Sequence, residues 1–252
     1  MKKFIKDRLG MILIFVGIIV LYEIATEGFK ILDPFLFHGL SKILPEFVSH
    51  LGQLMQGLIS SLGLLIPAYI MAVTLGISLG VLIGLKKLLR KNITPYINGF
   101  SAIPATLLTP YAIHIFSSFR YASIFIIFLG AFWPILGTTV NATMTIDKRY
   151  LENADTLEIN GVEKLFKVIL PAASPAILSG CAVALKFSFV LLTVAEMFGA
   201  TSGMGYFVQY YSDFARFDLV SVGFIFIGAV LVGIMYLFDL MKCRILKWTI
   251  NN

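Results

Sequence analysis

In a chain made mostly of apolar runs, the ionisable residues inside those runs carry the most informative chemistry. Two stand out, Lys186 and Glu196, both within the run Ala172 to Phe198. A charge in such a segment is costly in hydrocarbon, so it faces a bundle interior, a water-lined pathway or a partner. Ten residues separate the two. On a helix that is about 15 Å, which puts them near one face but out of contact. Lys186 falls near the middle of the run, where an ammonium attracts an anionic solute. Its alternative uses are pairing with backbone carbonyls, with Glu23 or with Asp239, or snorkelling to an interface. Glu196 falls near the run's end, either lining the same pathway or holding the adjoining loop by hydrogen bonds.

Nothing around these two residues forms a reaction centre. The sequence has no Gly-x-x-x-x-Gly-Lys-Ser/Thr, no His-Glu-x-x-His, no Cys-x-x-Cys and no Ser-His-Asp arrangement. Cys181 lies in an apolar run and Cys243 beside Lys242 and Arg244, so neither a disulfide nor a redox pair is indicated. His38, His50 and His114 are scattered. The expectation is a chain with no catalytic residues and no metal site. If the protein uses ATP, another chain binds it.

The elements that must position these residues are membrane helices. Charged residues make up 13% of the chain and hydrophobic ones 58%, against about 25% charged in a soluble domain, and the mean hydropathy is +0.90. Runs of roughly 20 apolar residues suit transmembrane helices. The short alternating segments of a barrel are absent. The expected fold is all-α and polytopic, with six transmembrane helices: an uncleaved first span over Leu9 to Tyr22, then Leu58–Leu85, Ile93–Ser118, Tyr121–Ile146, Ala172–Phe198 and Leu219–Met241. The expected organisation is an N-terminal span with an external loop and surface helix (1–57), a main transmembrane domain (58–241) and a basic tail (242–252).

Within the second span Gly76, Gly80 and Gly84 recur every four residues, which places all three on one face for close helix packing. Pro104 and Pro110 interrupt the third span. Broken backbone in a membrane survives where protein or a water-filled cavity covers it, so both prolines, with Lys186 and Glu196, are candidate pathway residues.

Six spans put both ends of the chain on one side. That side then holds fifteen Lys and Arg, in four groups: Lys2, Lys3, Lys6, Arg8; Lys86, Lys87, Arg90, Lys91; Lys148, Arg149, Lys164, Lys167; and Lys242, Arg244, Lys247. The other side holds Lys30, Lys42, Arg120 and Arg216. By the positive-inside rule the first side is cytoplasmic. The net charge of +6 is thus a topology signal, with no nucleic-acid partner implied.

The longest polar interruption, Asp147 to Pro171, lies on that basic side. It reads as a short helix over Tyr150 to Glu158, a break at Asn160-Gly161, a second amphipathic helix, and re-entry at Ile169-Leu170-Pro171. It resembles the cytoplasmic loop of binding-protein-dependent ABC importer permeases, whose pattern is Glu-Ala-Ala, three residues, Gly, nine residues, Ile, one residue, Leu-Pro. Glu152, Ala154, Val168 and Leu170-Pro171 match it, and Leu157 fills a frequent apolar position. Asn153 stands where Ala is usual and Glu158 where Gly is usual, with Gly161 as the expected replacement turn. Ala195-Glu196-Met197 with Ser202-Gly203-Met204-Gly205-Tyr206 looks like the end of the fifth span in the nitrate/sulfonate/taurine branch. Ser61 to Gly84, Ile103-Pro104, Pro110 and Phe132-Trp133-Pro134-Ile135 fit the earlier spans.

The resemblance implies the type I importer permease fold in a bacterial inner membrane. Two permease copies, a homodimer in the simplest case, would form a pathway across the lipid bilayer. Two ABC ATPase subunits would carry ATP and Mg, with no cofactor in this chain, and an extracytoplasmic binding protein would deliver a small solute, nitrate-, sulfonate- or taurine-like or a thiamine-precursor-like pyrimidine. The segment with Glu152, Asn153, Ala154, Asp155, Leu157, Glu158 and Gly161 would be the coupling helix set in an ATPase groove. The alternative is an ATP-independent secondary transporter or channel, for which inverted repeats and ionisable residues paired across several spans are expected; neither is seen.

Overall fold

The computed structural model describes residues 2–248, with side chains described for residues 9, 10 and 13–248. Lys2, Lys3, Lys6 and Arg8 of the first basic group, and the tail's residues 249–252, lie outside the described side chains. All regular elements among the described residues are helical. In order they are α1 (Lys2–Glu23), α2 (Leu40–Ser49), α3 (Leu51–Leu85), α4 (Lys87–Ser101), α5 (Thr109–Ile115), α6 (Phe119–Met144), α7 (Lys148–Thr156), α8 (Gly161–Lys164), α9 (Leu170–Gly199), α10 (Met204–Asp213) and α11 (Phe217–Ile245).

Among the described residues, four helical runs are long and apolar enough to cross a membrane: Leu51–Leu85, Phe119–Met144, Gly161–Gly199 and Phe217–Ile245. They correspond to the expected second, fourth, fifth and sixth spans. The third is not one helix. Pro104 is extended (φ −60°, ψ 121°), as its ring and its missing amide favour, and it pushes Ile103 out of helical geometry. The chain therefore splits into α4, a 3₁₀ turn Ala105–Leu108, and α5, where Pro110 sits in the first turn. Pro110 starts a helix, where its absent N–H costs nothing. The basic segment 86–91, whose polarity predicts a loop between spans, is mostly helix. Lys86 alone separates α3 from α4, and Arg90 turns back to donate to the Gly84 carbonyl at 3.0 Å. At the other ends, α3 begins at Leu51 rather than Leu58, and α11 runs on to Ile245 through Lys242 and Arg244.

The glycine face of α3 meets α6 in a fixed register. A Cβ on Gly76 would lie 2.8 Å from Ile135, one on Gly80 2.6 Å from Thr139, and one on Gly84 2.8 Å from Thr143. Each step of four on α3 matches a step of four on α6, so the helices run parallel. Without side chains on α3 the backbones close to a distance that larger residues forbid, which is how membrane helices gain packing energy. Helix α9 packs antiparallel to both: Tyr69 of α3 donates to the Cys181 carbonyl at 2.8 Å, and Gly180 abuts Thr138 of α6. Helices α10, α11 and α2 close the end of the bundle where α6 begins, with Phe189, Leu192, Met204, Phe207 and Val222 in one buried cluster. The loop with α7 and α8 lies at the opposite end.

Candidate functional site

Three features carry chemistry or shape suited to function: the α7–α8 loop, the cavity at the broken third segment, and a buried carboxylate at the end of α9.

Asp147 caps α7, its carboxylate accepting the Arg149 amide at 3.0 Å, which supplies a partner for one orphan helix donor. The Arg149 guanidinium grips the same carboxylate at 2.6 and 3.0 Å, and these bonds hold Asp147 below the usual carboxylate range. Helix α7 packs on the π turn Leu165–Ile169, and its buried residue is Ala154, 2% exposed. Glu152, Asn153, Asp155, Leu157, Glu158 and Gly161 all face outward. Asp155 pairs with Lys164 across the loop.

Helix α7 ends in a reciprocal pair of bonds: the Ile159 amide donates to the Ala154 carbonyl at 2.9 Å and the Glu158 amide to the Asp155 carbonyl at 3.0 Å. This is the Schellman closure, which places its C′ residue in left-handed backbone. That residue is Glu158, at φ +55°. The expected transfer of the turn to Gly161 therefore does not occur. Gly161 also has positive φ, +58°, but it opens α8, and the turn ending α7 stays where the sequence pattern calls for glycine. The loop has two left-handed residues.

The break between α4 and α5 opens a cavity of about 620 Å³ against α6 and α9, lined by Pro104, Trp133, Pro134, Phe187 and Val190 among others. The Phe100 ring stacks on Trp133 at 5.3 Å, and Phe132 stands edge-on to Trp133 at 5.1 Å. Pro104 lines this space and Pro110 does not. Lys186 is exposed on the α9 face that also carries Val183, Phe187 and Val190. Among the described residues it has no ion pair or hydrogen bond, so neither Glu23 nor Asp239 neutralises it.

Glu196 is 1% exposed and lines neither this cavity nor the others described. Its carboxylate accepts from Ser61 of α3 at 2.6 Å and from the Gly205 amide at 2.8 Å. Ser61 in turn accepts the Met204 amide at 2.9 Å. The first turn of α10 is thereby tied to α3 and α9. Gly203 makes this possible: its φ is +138°, and a Cβ there would run into the Glu196 carboxyl. The geometry is that of a loop anchor rather than a pathway wall. Lys186 and Glu196 are not brought together. Sequence reasoning missed Ser61 and Gly205 as partners of Glu196. The signal was the glycine pair seven and nine residues after a buried acid.

A family model described as binding-protein-dependent transport system inner membrane component matches residues 72–248. A putative ABC transporter permease of Methanocaldococcus jannaschii is 32% identical over 73% of this chain and 68% of its own length. The putative aliphatic sulfonates transport permease SsuC of Bacillus subtilis is 31% identical over 71% of this chain and 65% of its own length. The nitrate import permease NrtB of Leptolyngbya laminosa is 30% identical over 66% of this chain and 59% of its own length. The chain thus spans roughly three-fifths to two-thirds of these relatives. Among solved structures, an inward-facing form of the MetNI methionine ABC transporter superposes with a TM-score of 0.65 at 18% identity, covering 78% of this chain and 98% of that one; this shows a shared fold. With 177 residues under the family model and relatives at 30% identity and above, the chain belongs to the binding-protein-dependent transport system inner membrane components.

Proposed function

We infer that this chain is the permease subunit of an ATP-driven importer, paired with a second permease copy and driven by two ATPase subunits that carry ATP and Mg. The observation that carries this reading is α7: an outward-facing helix, closed at both ends, seated by Ala154 at the base of the continuous helical run Gly161–Gly199. Such a helix transmits force, because a partner gripping Glu152, Asn153 and Leu157 moves the run as one body. ATP-driven closure of the ATPase pair favours one orientation of the bundle over the other, which is the differential interaction a conformational drive requires. On this reading α7 and both chain ends are on the cytoplasmic side of a bacterial plasma membrane, an orientation that the positive-inside rule supports. An extracytoplasmic binding protein delivers solute to the opposite end.

The solute is a small anion. Relatives named for sulfonates, nitrate and bicarbonate share that chemistry, and an unpaired Lys186 on an exposed face at mid-helix supplies a matching charge. The test is co-purification of the ATPase subunit with the full chain, and uptake after ATP depletion with the ion gradient maintained. Loss of uptake and a bound ATPase are expected, whereas uptake that survives ATP depletion overturns the reading. Glu152→Arg is expected to leave the protein inserted but uncouple transport. Normal uptake in that variant removes α7 from the docking role.

A further inference from the structure

At the end of the bundle opposite α7, a second cavity of about 500 Å³ opens between the start of α6, α3 and the segment after α9. Its polar lining is Arg120 with the hydroxyls of Ser60, Ser118, Thr201 and Ser202. No acidic side chain lines it. Glu196, three residues before Gly199, is outside the lining, its carboxylate engaged by Ser61 and the Gly205 amide. Among the described residues Arg120 has no ion pair and no hydrogen bond. This contrasts with Arg216, the other arginine at this end, whose guanidinium is held by Asp218 at 3.0 Å. Ser60 and Ser202 meet at 2.8 Å and so fix their hydroxyls at the cavity wall.

A guanidinium presents five donors in a planar fork matched to an oxyanion, and Ser118, Thr201 and the Ser60–Ser202 pair add one hydroxyl donor each. An arginine left unpaired beside four hydroxyls, with no competing carboxylate, is an arrangement of donors lacking its acceptor. We propose that this cavity is a binding station for a small oxyanion at the entrance of the pathway, with Arg120 as its anchoring charge. The proposal rests on the importer reading for its purpose but not for its chemistry. Gly199, at this cavity, and Lys186 are thirteen residues apart on α9, about 20 Å along the helix. Lys186 is therefore a separate cation deeper along the helix and forms no part of this cavity. A phosphate of an anionic lipid carries the same chemistry and is the other source of an acceptor.

The experiment uses the full chain in phosphatidylcholine nanodiscs, which expose both faces. The exposed native thiol is removed (Cys243→Ser) and a reporter placed at the cavity wall (Ala200→Cys). Modification rates are measured with a sulfonate-bearing and a trimethylammonium-bearing methanethiosulfonate. The anionic reagent is expected to react roughly three- to ten-fold faster relative to the cationic one, as one unit charge within several ångströms in a high-dielectric mouth dictates. Arg120→Gln is expected to abolish that preference. Nitrate or ethanesulfonate at millimolar concentration is expected to slow modification relative to chloride at equal ionic strength, and Arg120→Gln to remove the protection. Arg120→Lys covers the case in which the glutamine variant misfolds: it is expected to keep the charge preference and weaken the protection. The proposal is overturned by equal rates for the two reagents, by protection that survives Arg120→Gln, or by protection that appears only when phosphatidylglycerol is added to the discs, which assigns the site to lipid. Because no ATPase is present, these results are independent of co-purification, and each reading stands or falls separately.

Discussion

Replacing Glu158 by glycine should make the α7–α8 loop more stable, although it removes a side chain. Glu158 holds φ +55° because the two bonds closing α7 demand left-handed backbone at that position. For an L-residue this conformation costs about 1–2 kcal/mol, through crowding of Cβ against the following carbonyl. Glycine escapes the crowding but loses more freedom on folding, which takes back part of the gain. The net stabilisation is about 1 kcal/mol, or a factor of about five in the opening equilibrium of the turn. The assay is hydrogen exchange of the amides at positions 157–159, whose acceptors are the carbonyls of Asn153, Asp155 and Ala154. Exchange in Glu158→Gly should slow about five-fold at these amides and stay unchanged in α3 and α6. Glu158→Asn should fall between, since asparagine tolerates this region better than most residues, and Glu158→Val should exchange faster than the parent. Unchanged or faster exchange in the glycine variant refutes the reasoning, because it would mean that the turn is not closed through a left-handed residue 158.

Four further outcomes are expected. Gly80→Ala places a Cβ 2.6 Å from Thr139 and 3.1 Å from the Leu136 carbonyl. Neither can yield without separating α3 from α6, so thermal stability in detergent should fall by about 3 kcal/mol, while Gly228→Ala, with open space around it, should stay within about 1 kcal/mol. Glu196→Ala leaves the Ser61 hydroxyl and the Gly205 amide short of an acceptor, and should cost about 3 kcal/mol and open residues 200–216 to protease. Asp147 has its carboxyl lowered by Arg149, so its capping contribution is present above the unfolded value and lost as pH falls through the lower folded one; amides of α7 should therefore lose protection below the usual carboxylate range, and Asp147→Asn should flatten that dependence. Lys186→Met should reduce uptake of an anionic solute with assembly intact, and unchanged uptake would give Lys186 a structural role.

What was legible in the sequence follows from what each signal measures. Apolar run length located α3, α6, α9 and α11 because hydrocarbon thickness sets that length directly. The spacing of Gly76, Gly80 and Gly84 revealed a packing face, but not that Thr139 and Thr143 fill it, since the partner's register depends on tertiary contact. Pro104 was readable as an interruption, whereas its consequence was not: the helix before it reaches back to Lys87, because a basic, water-exposed segment forms helix as readily as loop. Glu158 was visible as a departure from the family pattern, and the natural expectation moved the turn to Gly161. Backbone hydrogen bonding decided otherwise, because the closing bonds fix the position of the left-handed residue regardless of which side chain occupies it. In the sequence Arg120 is only one of the four basic residues on the outer side. Its significance is the absence of a nearby acid, and that is a property of three-dimensional neighbourhood.

The 39-residue run from Gly161 to Gly199 is about 58 Å long, nearly twice the roughly 30 Å of a bilayer's hydrocarbon layer. Its Glu196 end is fixed by α10 at one border. Twenty residues back from Gly199 lies Ser179, whose hydroxyl meets the ammonium of Lys242 at 3.0 Å, a polar contact suited to the opposite border. The stretch before it, Pro171 and Pro175 included, extends beyond a layer of roughly 30 Å measured from the Glu196 border. Pro175 leaves the Pro171 carbonyl without a helical donor, and the Ser174 hydroxyl supplies one at 2.8 Å, so the rule against open backbone groups in lipid is met there by a side chain. The overhang is therefore a stretch of helix where turns of irregular pitch, such as Leu165–Ile169, are cheap to keep. The same irregularity twenty residues later would be penalised at full strength.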